Sequence, residues 1–219
     1  MCMSDSFQIV CVSNRHLCPE EIGGRIYRLL KAGADMVILR EKDLSEAEYL
    51  QFARSILSCL PPDWKSRIVL HHFPGASKAL LHPSIHLSLW QLKEQPEIRH
   101  SFSRIGVSIH SIQEAKEAES LGADYITAGH IFDTACKSGL PGRGLSFLHE
   151  VCKSVAIPVL AISGISPENI QEIRQAEASG ACIMSSCMQC PAPEAYLRRL
   201  RQAVISNRPP CHPPARHTE

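Results

Sequence analysis

The chain has 219 residues, 44% of them hydrophobic, and a formal net charge of +1. That is enough chain to bury a core in one domain or at most two, and too little positive charge for the basic patch that nucleic acid requires. The longest apolar runs, Met36 to Leu39 and Ile157 to Ile162, are far too short to cross a membrane. The opening residues, Met1 to Ser6, lack the cationic segment and apolar run of a signal peptide. With no export signal, the ten cysteines read as reduced thiols and the protein as cytoplasmic.

Short apolar runs then alternate with stretches of helical period. Gln8 to Val12 reads as a first strand, and Pro19 to Ala32 as a helix that starts at a proline, whose fixed φ suits a first turn. Gly33-Ala34-Asp35 closes it. Met36 to Leu39 is a second strand, running into Arg40-Glu41-Lys42. Ser45, with Glu48 three residues on, predicts a capping box, and Pro61-Pro62 stops that helix. Ile68 to Leu70 is a third strand, followed by His71-His72 and a helical patch from Ala76 to Leu81. Ser84 to Leu87 makes a brief fourth.

The second half repeats the cadence. Arg104 to Ser108 is a strand, Ser111 and Glu114 predict another capping box, and Gly122-Ala123-Asp124 leads into a strand from Tyr125 to Ala128. Gly129-His130 ends that strand, and a polar loop with Thr134, Lys137 and Arg143 precedes a helical run from Leu145 to Val151. Pro158 to Ile162 is the seventh strand, followed by Ser163-Gly164-Ile165. Ser166-Pro167 starts a helix reaching about Ala178, Ala181 to Ser185 is the eighth strand, and Pro193 to Ile205 the last helix. The proline-rich residues 207–219 read as a disordered tail on a domain of residues 1–206. An open doubly wound sheet would alternate in the same way. Eight strand–helix units in about 200 residues favour closure, as a single-domain α/β protein with a (β/α)8 barrel.

In such a barrel the active site lies at the carboxyl ends of the strands. The residues there are Arg40 and Lys42, His71 and His72, Ser88, Ser108 and His110, His130, Gly164, and Ser185-Ser186. Apart from Glu41 they are cationic, imidazole-bearing or small and polar, a set that suits a phosphorylated ligand. Ser163-Gly164 and Ser185-Ser186 fall after strands seven and eight, where barrels often hold phosphate. A histidine at a strand end beside a cationic loop suits proton transfer on an anion, although His130 could equally be a satisfied strand-end residue. His82, His86, His100 and His149 read as surface or packing residues. Cys187-Met-Gln-Cys190 has no second metal-ligand pair to complete it. His71-His72 likewise lacks a carboxylate or third ligand nearby, so no metal site is expected.

Several of these stretches resemble the motif series of the thiamine-phosphate synthase superfamily, over Gln8 to Ile205. They are Leu39-Arg40-Glu41-Lys42, Gly106 to Ser111, Gly122 to Tyr125, Ala161 to Ile165 and Met184-Ser185. The loop from Gly129 to Gly144 is similar to the thiazole tautomerase branch in particular. Synthases carry proline where this chain has His130 and a second threonine where it has Cys136. They also hold magnesium through aspartates after strands three and four, where this chain has none. The resemblance implies a (β/α)8 barrel and an isomerase that needs no cofactor. It would move a proton on a carboxythiazole phosphate, turning an exocyclic-alkene tautomer into the aromatic ring. It further implies His130 as the acid–base group. Gly164, Met184 and Ser185 would bind phosphate, while Arg40, Lys42, His71, Ser108, Thr134 and Lys137 would line the site. Asparagine is usual at the position of His71 and glycine at that of Ser186. The alternatives are thiamine-phosphate synthase itself, joining hydroxymethylpyrimidine diphosphate to thiazole phosphate, and a non-catalytic regulator that binds thiazole phosphate. A homodimer is the expected assembly; no nucleic-acid or membrane partner is expected.

Overall fold

Side chains along a strand point alternately to its two faces, and here the two faces meet different surroundings. The computed structural model describes residues 7–134 and 141–205. Its eight strands are β1 (Gln8–Val12), β2 (Met36–Leu39), β3 (Ile68–His71), β4 (Ser84–Ser88), β5 (Arg104–Ile109), β6 (Tyr125–Ala128), β7 (Val159–Ile162) and β8 (Gly180–Ile183). Each pairs in parallel with the next, and β8 pairs back onto β1, so the sheet is a closed barrel. One phase of the strands, including Ile9, Val37, Leu70, Ile85, Val107 and Ile126, joins a large apolar core with the surrounding helices. The other phase, including Val10, Met36, Val69, Tyr125, Leu160 and Cys182, packs a second cluster inside the barrel. The single-domain (β/α)8 barrel is therefore present.

The helices are α1 (Ile22–Lys31), α2 (Glu46–Cys59), α3 (Pro62–Lys65), α4 (Pro74–Ala79), α5 (Leu89–Glu94), α6 (Ile112–Ser120), α7 (Gly144–Ser154), α8 (Ile170–Gln175), α9 (Ser185–Gln189) and α10 (Pro193–Ile205). None among the described residues is long and apolar enough to cross a membrane. The expected tail lies outside the described residues.

Several local expectations change. α1 starts at Ile22 and not at Pro19, because the Glu21 carboxylate accepts the free N–H groups of Gly23 (2.8 Å) and Gly24 (2.7 Å). Ser45 and Glu48 do form a capping box. Ser111 accepts from the Glu114 N–H, but the Glu114 carboxylate turns to the His110 N–H at 2.6 Å, so only half of that box exists. The helix expected from Ser166 shrinks to α8, since Asn169 accepts from the Ser166 N–H and donates to the Gly164 carbonyl, which holds a turn there. β8 ends at Ile183, and Ser185 belongs to the one-turn α9.

The two Gly-Ala-Asp returns are built alike. Gly33 (φ +98°) and Gly122 (φ +85°) take the left-handed conformation that ends a helix. Asp35 then accepts the Ile9 N–H (2.7 Å) and donates its own N–H to the Ile9 carbonyl (2.9 Å). Asp124 does the same with Ile105, at 2.7 and 2.8 Å.

Candidate active site

A cavity of about 720 Å³ opens at the carboxyl ends of the strands. Its wall is the inward phase continued upward: Val12, Ile38 and Arg40 from the first two strands, His71, His86 and Ser88 from the next two, then Ser108, His110, Thr127, Gly129, Ile162 and Met184. Lys42, Lys93, Glu114, Glu117, Ser163 and the exposed Trp90 stand at the mouth.

Arg40 and Lys42 are presented by a buried carboxylate. Glu41, only 3% exposed, accepts from the Ser13 hydroxyl (2.8 Å) and pairs with Arg15 (3.1 Å). Ser13 in turn accepts the Arg40 N–H at 2.8 Å. Arg40-Glu41-Lys42 is therefore no solvated charge run: its middle residue pins the turn, and its outer two face the cavity. Partial desolvation and then Arg40 lower the Lys42 ammonium pKa.

Below them lie two buried imidazoles, stacked with ring centroids 5.8 Å apart. Burial pushes the His71 pKa well down, helped by His86, Lys42 and Arg40, and burial likewise brings His86 to about 3. Both are neutral at pH 7. His71 Nδ1 has no hydrogen-bond partner among the described residues. His86 Nδ1 lies 3.1 Å from the Tyr125 hydroxyl and Nε2 lies 2.9 Å from Ser108 Oγ. His86 is thus a wall residue, and not the surface or packing residue its sequence context suggests. The signal was strand phase, since Ile85 and Leu87 face the helices and His86 must face inward.

The residues expected at the site divide. Arg40, Lys42, His71, Ser108 and Met184 meet at the cavity. His130 is 7% exposed and follows Gly129; the wall includes Gly129 but not His130, whose carbonyl accepts the Arg143 N–H at 3.0 Å. His110 does line the cavity, with Nδ1 3.1 Å from the Gly129 carbonyl. Thr134 is half-buried and off the wall, and Lys137 lies outside the described residues. Gly164 and Ser185 sit just behind Ser163 and Met184, which are the parts of those loops that reach the cavity.

Gly164 has its own reason to be glycine. Its φ is +70°, and a Cβ there would stand 2.6 Å from Phe132 Cβ and 2.8 Å from the Asp133 carbonyl. Gly164→Asp should therefore push the loop after β6 off the loop after β7 and severely weaken the binding of inorganic phosphate. Calorimetry showing unchanged affinity would remove this loop from the anion site.

The donors do not suit magnesium. After β3 stand imidazoles, and after β4 a serine and Gln91, whose amide accepts from Ser88 N–H and donates to the His72 carbonyl (2.7 Å). The wall's two carboxylates are engaged, Glu114 by the His110 N–H and Glu117 by Lys93 at 2.8 Å. A hard divalent cation prefers several carboxylate oxygens. Among the described residues no group of three His, Cys, Asp or Glu stands close enough to hold a metal ion. Cys187 lies 3.5 Å from Cys11 through sulfur, both buried and free.

The thiamine-phosphate synthase of Syntrophomonas wolfei is 29% identical over 205 residues, covering 91% of this chain and 97% of its own. That of Chlorobium phaeobacteroides is 30% identical over 198 residues, covering 89% and 95%. Among solved structures, thiamine phosphate pyrophosphorylase from Pyrococcus furiosus is similar with a TM-score of 0.77 at 25% identity, over 91% of this chain and 96% of that one. The (S)-3-O-geranylgeranylglyceryl phosphate synthase of Thermoplasma acidophilum, at 13% identity and a TM-score of 0.64, shares the fold alone. The profile of the family described as thiamine monophosphate synthase matches residues 9–187, and the chain belongs to that family.

Proposed function

We propose that this chain is a thiazole tautomerase, which moves a proton on a carboxythiazole phosphate so that an exocyclic alkene becomes the aromatic ring. The observation that carries this reading is the rim after β3 and β4, where imidazoles, a hydroxyl and an engaged amide stand beside two cations. Such a rim suits an anion and leaves a pyrophosphate leaving group without the metal that would balance its charge. Tautomerisation needs only a base that takes a ring proton and returns one to the exocyclic carbon. Imidazole is suited to both steps near neutral pH.

In this reading His130 carries the proton. Its approach to the ligand would tighten on binding, as catalytic contacts commonly do. Arg40 and Lys42 hold the ligand's negative charge, and the loops carrying Gly164, Met184 and Ser185 take the phosphate. The cytoplasmic setting and a homodimer belong to the same proposal.

The second reading is condensation of hydroxymethylpyrimidine diphosphate with thiazole phosphate, and the names of the relatives favour it. The two separate on metal. Tautomerase turnover should persist after exhaustive treatment with a chelator. Activity that vanishes on chelation and returns with magnesium, or condensation with both substrates, would establish the second reading instead. Product binding without any turnover would point to a regulator.

A further inference from the structure

Four hydrogen-bonding side chains run in line from the barrel interior to the cavity. His86, Gly106 and Tyr125 share one register level across β4, β5 and β6, and Ser88, Ser108 and Thr127 share the level toward the mouth. The line passes from Tyr125 to His86 (3.1 Å), from His86 to Ser108 (2.9 Å) and between Ser108 and Thr127 (3.2 Å), with Thr127 also 3.4 Å from His86 Nε2. Gly106 makes the crossing possible: a Cβ there would lie 2.3 Å from the Tyr125 hydroxyl oxygen and 2.4 Å from His86 Nδ1.

Counting protons fixes the direction. Burial keeps His86 neutral, and Nε2 has one proton or one lone pair, so its 3.4 Å contact with Thr127 is an alternative to that with Ser108. The phenol, the imidazole and the two hydroxyls then bring four donor protons to three links. One proton is left over, at one end of the line. At the Tyr125 end it would have no acceptor among the described residues, on a side chain 5% exposed, and an unsatisfied buried donor is costly. At the other end Ser108 and Thr127 both line the cavity.

We propose that this line is polarised outward: Tyr125 O–H donates to His86 Nδ1, His86 Nε2–H donates to the hydroxyl pair, and the surplus hydroxyl proton of Ser108 or Thr127 is presented to the ligand. The cavity therefore selects for a ligand with an acceptor at this point, such as a carboxylate or phosphate oxygen. Tyr125 and His86 are positioning residues, since neither hydroxyl could hold this direction alone. The inference rests on this cavity being the ligand site and holds for either reaction proposed above.

The test reads the tautomer directly. In ¹⁵N-labelled, ligand-free wild-type protein at pH 7.5, His86 should show a protonated Nε2 and an unprotonated Nδ1 that accepts a hydrogen bond. The Ser108→Ala/Thr127→Val double variant should bind the carboxythiazole phosphate about tenfold more weakly or worse by calorimetry. A proton on Nδ1, or on both nitrogens, would overturn the proposal, as would unchanged affinity in the double variant. The wild-type spectrum decides even if the variant does not fold. It is also independent of turnover, so failure of the tautomerase reading would leave it intact.

Discussion

His130→Gln is expected to lower tautomerase turnover by about 10²–10⁴-fold, the usual loss when an acid–base group is removed, while product affinity changes little. Glutamine keeps polarity and approximate size but cannot accept and return a proton at neutral pH. A second imidazole competes for the role. His110 lines the cavity, and its Nδ1 already contacts the Gly129 carbonyl, one residue before His130. If that contact is a donated N–H, Nε2 is left as a free base. His110→Gln should nonetheless keep turnover within about tenfold, because a neighbouring imidazole that only orients the loop contributes less than the one that moves the proton. Steady-state kinetics on both variants decide the matter. A nearly unaffected His130→Gln enzyme with a crippled His110→Gln enzyme would transfer the role to His110.

Mild acid should weaken the fold by an unusual amount for so neutral a chain. His71 and His86 are nearly fully buried and held neutral, chiefly by burial and then by neighbouring imidazole or cationic groups, with Arg40 and Lys42 acting on both. Unfolding releases each to titrate near 6.5, so below that pH the unfolded chain binds more protons than the folded one. Stability from this source is therefore fully present above about pH 6.5 and is lost as pH falls. With the folded value of His86 at about 3, each pH unit below 6.5 costs about 1.4 kcal/mol for that ring, or about 2 kcal/mol at pH 5, and His71 adds to the loss in the same direction. The carboxylate held lowest by an arginine within the measurable range, Glu194 at about 2 beside Arg28, titrates below this window. Urea midpoints at pH 7.5 and 5.0 should differ accordingly, and His86→Gln should flatten the dependence by about one histidine's share. A midpoint that does not move between those pH values would show that the two rings are not neutral and buried in solution.

The strands were the most legible part of the sequence because each inward and outward residue is set by a period of two, which eight short runs repeat. Helix starts were less so. Pro19 looked like a beginning, but a carboxylate that satisfies two free N–H groups at Glu21 outweighs a proline that merely tolerates the position. Single-turn α5 and α9 carry too few residues to show any period. At the site, Arg40, Lys42, His71 and Ser108 could be read from strand ends alone, whereas Met184 came only with the family resemblance. His86 and Tyr125 were hidden inside apolar runs, where only the phase of the strand reveals that they face inward, His86 at the cavity and Tyr125 beneath it. His130 sits where a strand has ended and phase no longer applies, so the sequence could give its neighbourhood but not its direction.

The paired returns at Asp35 and Asp124 carry a consequence for that phase. Each clamps the start of one strand pair through two hydrogen bonds, β1 to β2 and β5 to β6, on opposite sides of the barrel. A strand that slid by one residue would exchange its faces, turning Ile38 and Arg40 toward the helices and Val37 and Leu39 into the cavity. Neither clamp survives such a slide, because the carboxylate and the N–H of the same aspartate both grip one residue. The reading frame of the mouth is thus kept at the floor, a full strand's length from any ligand.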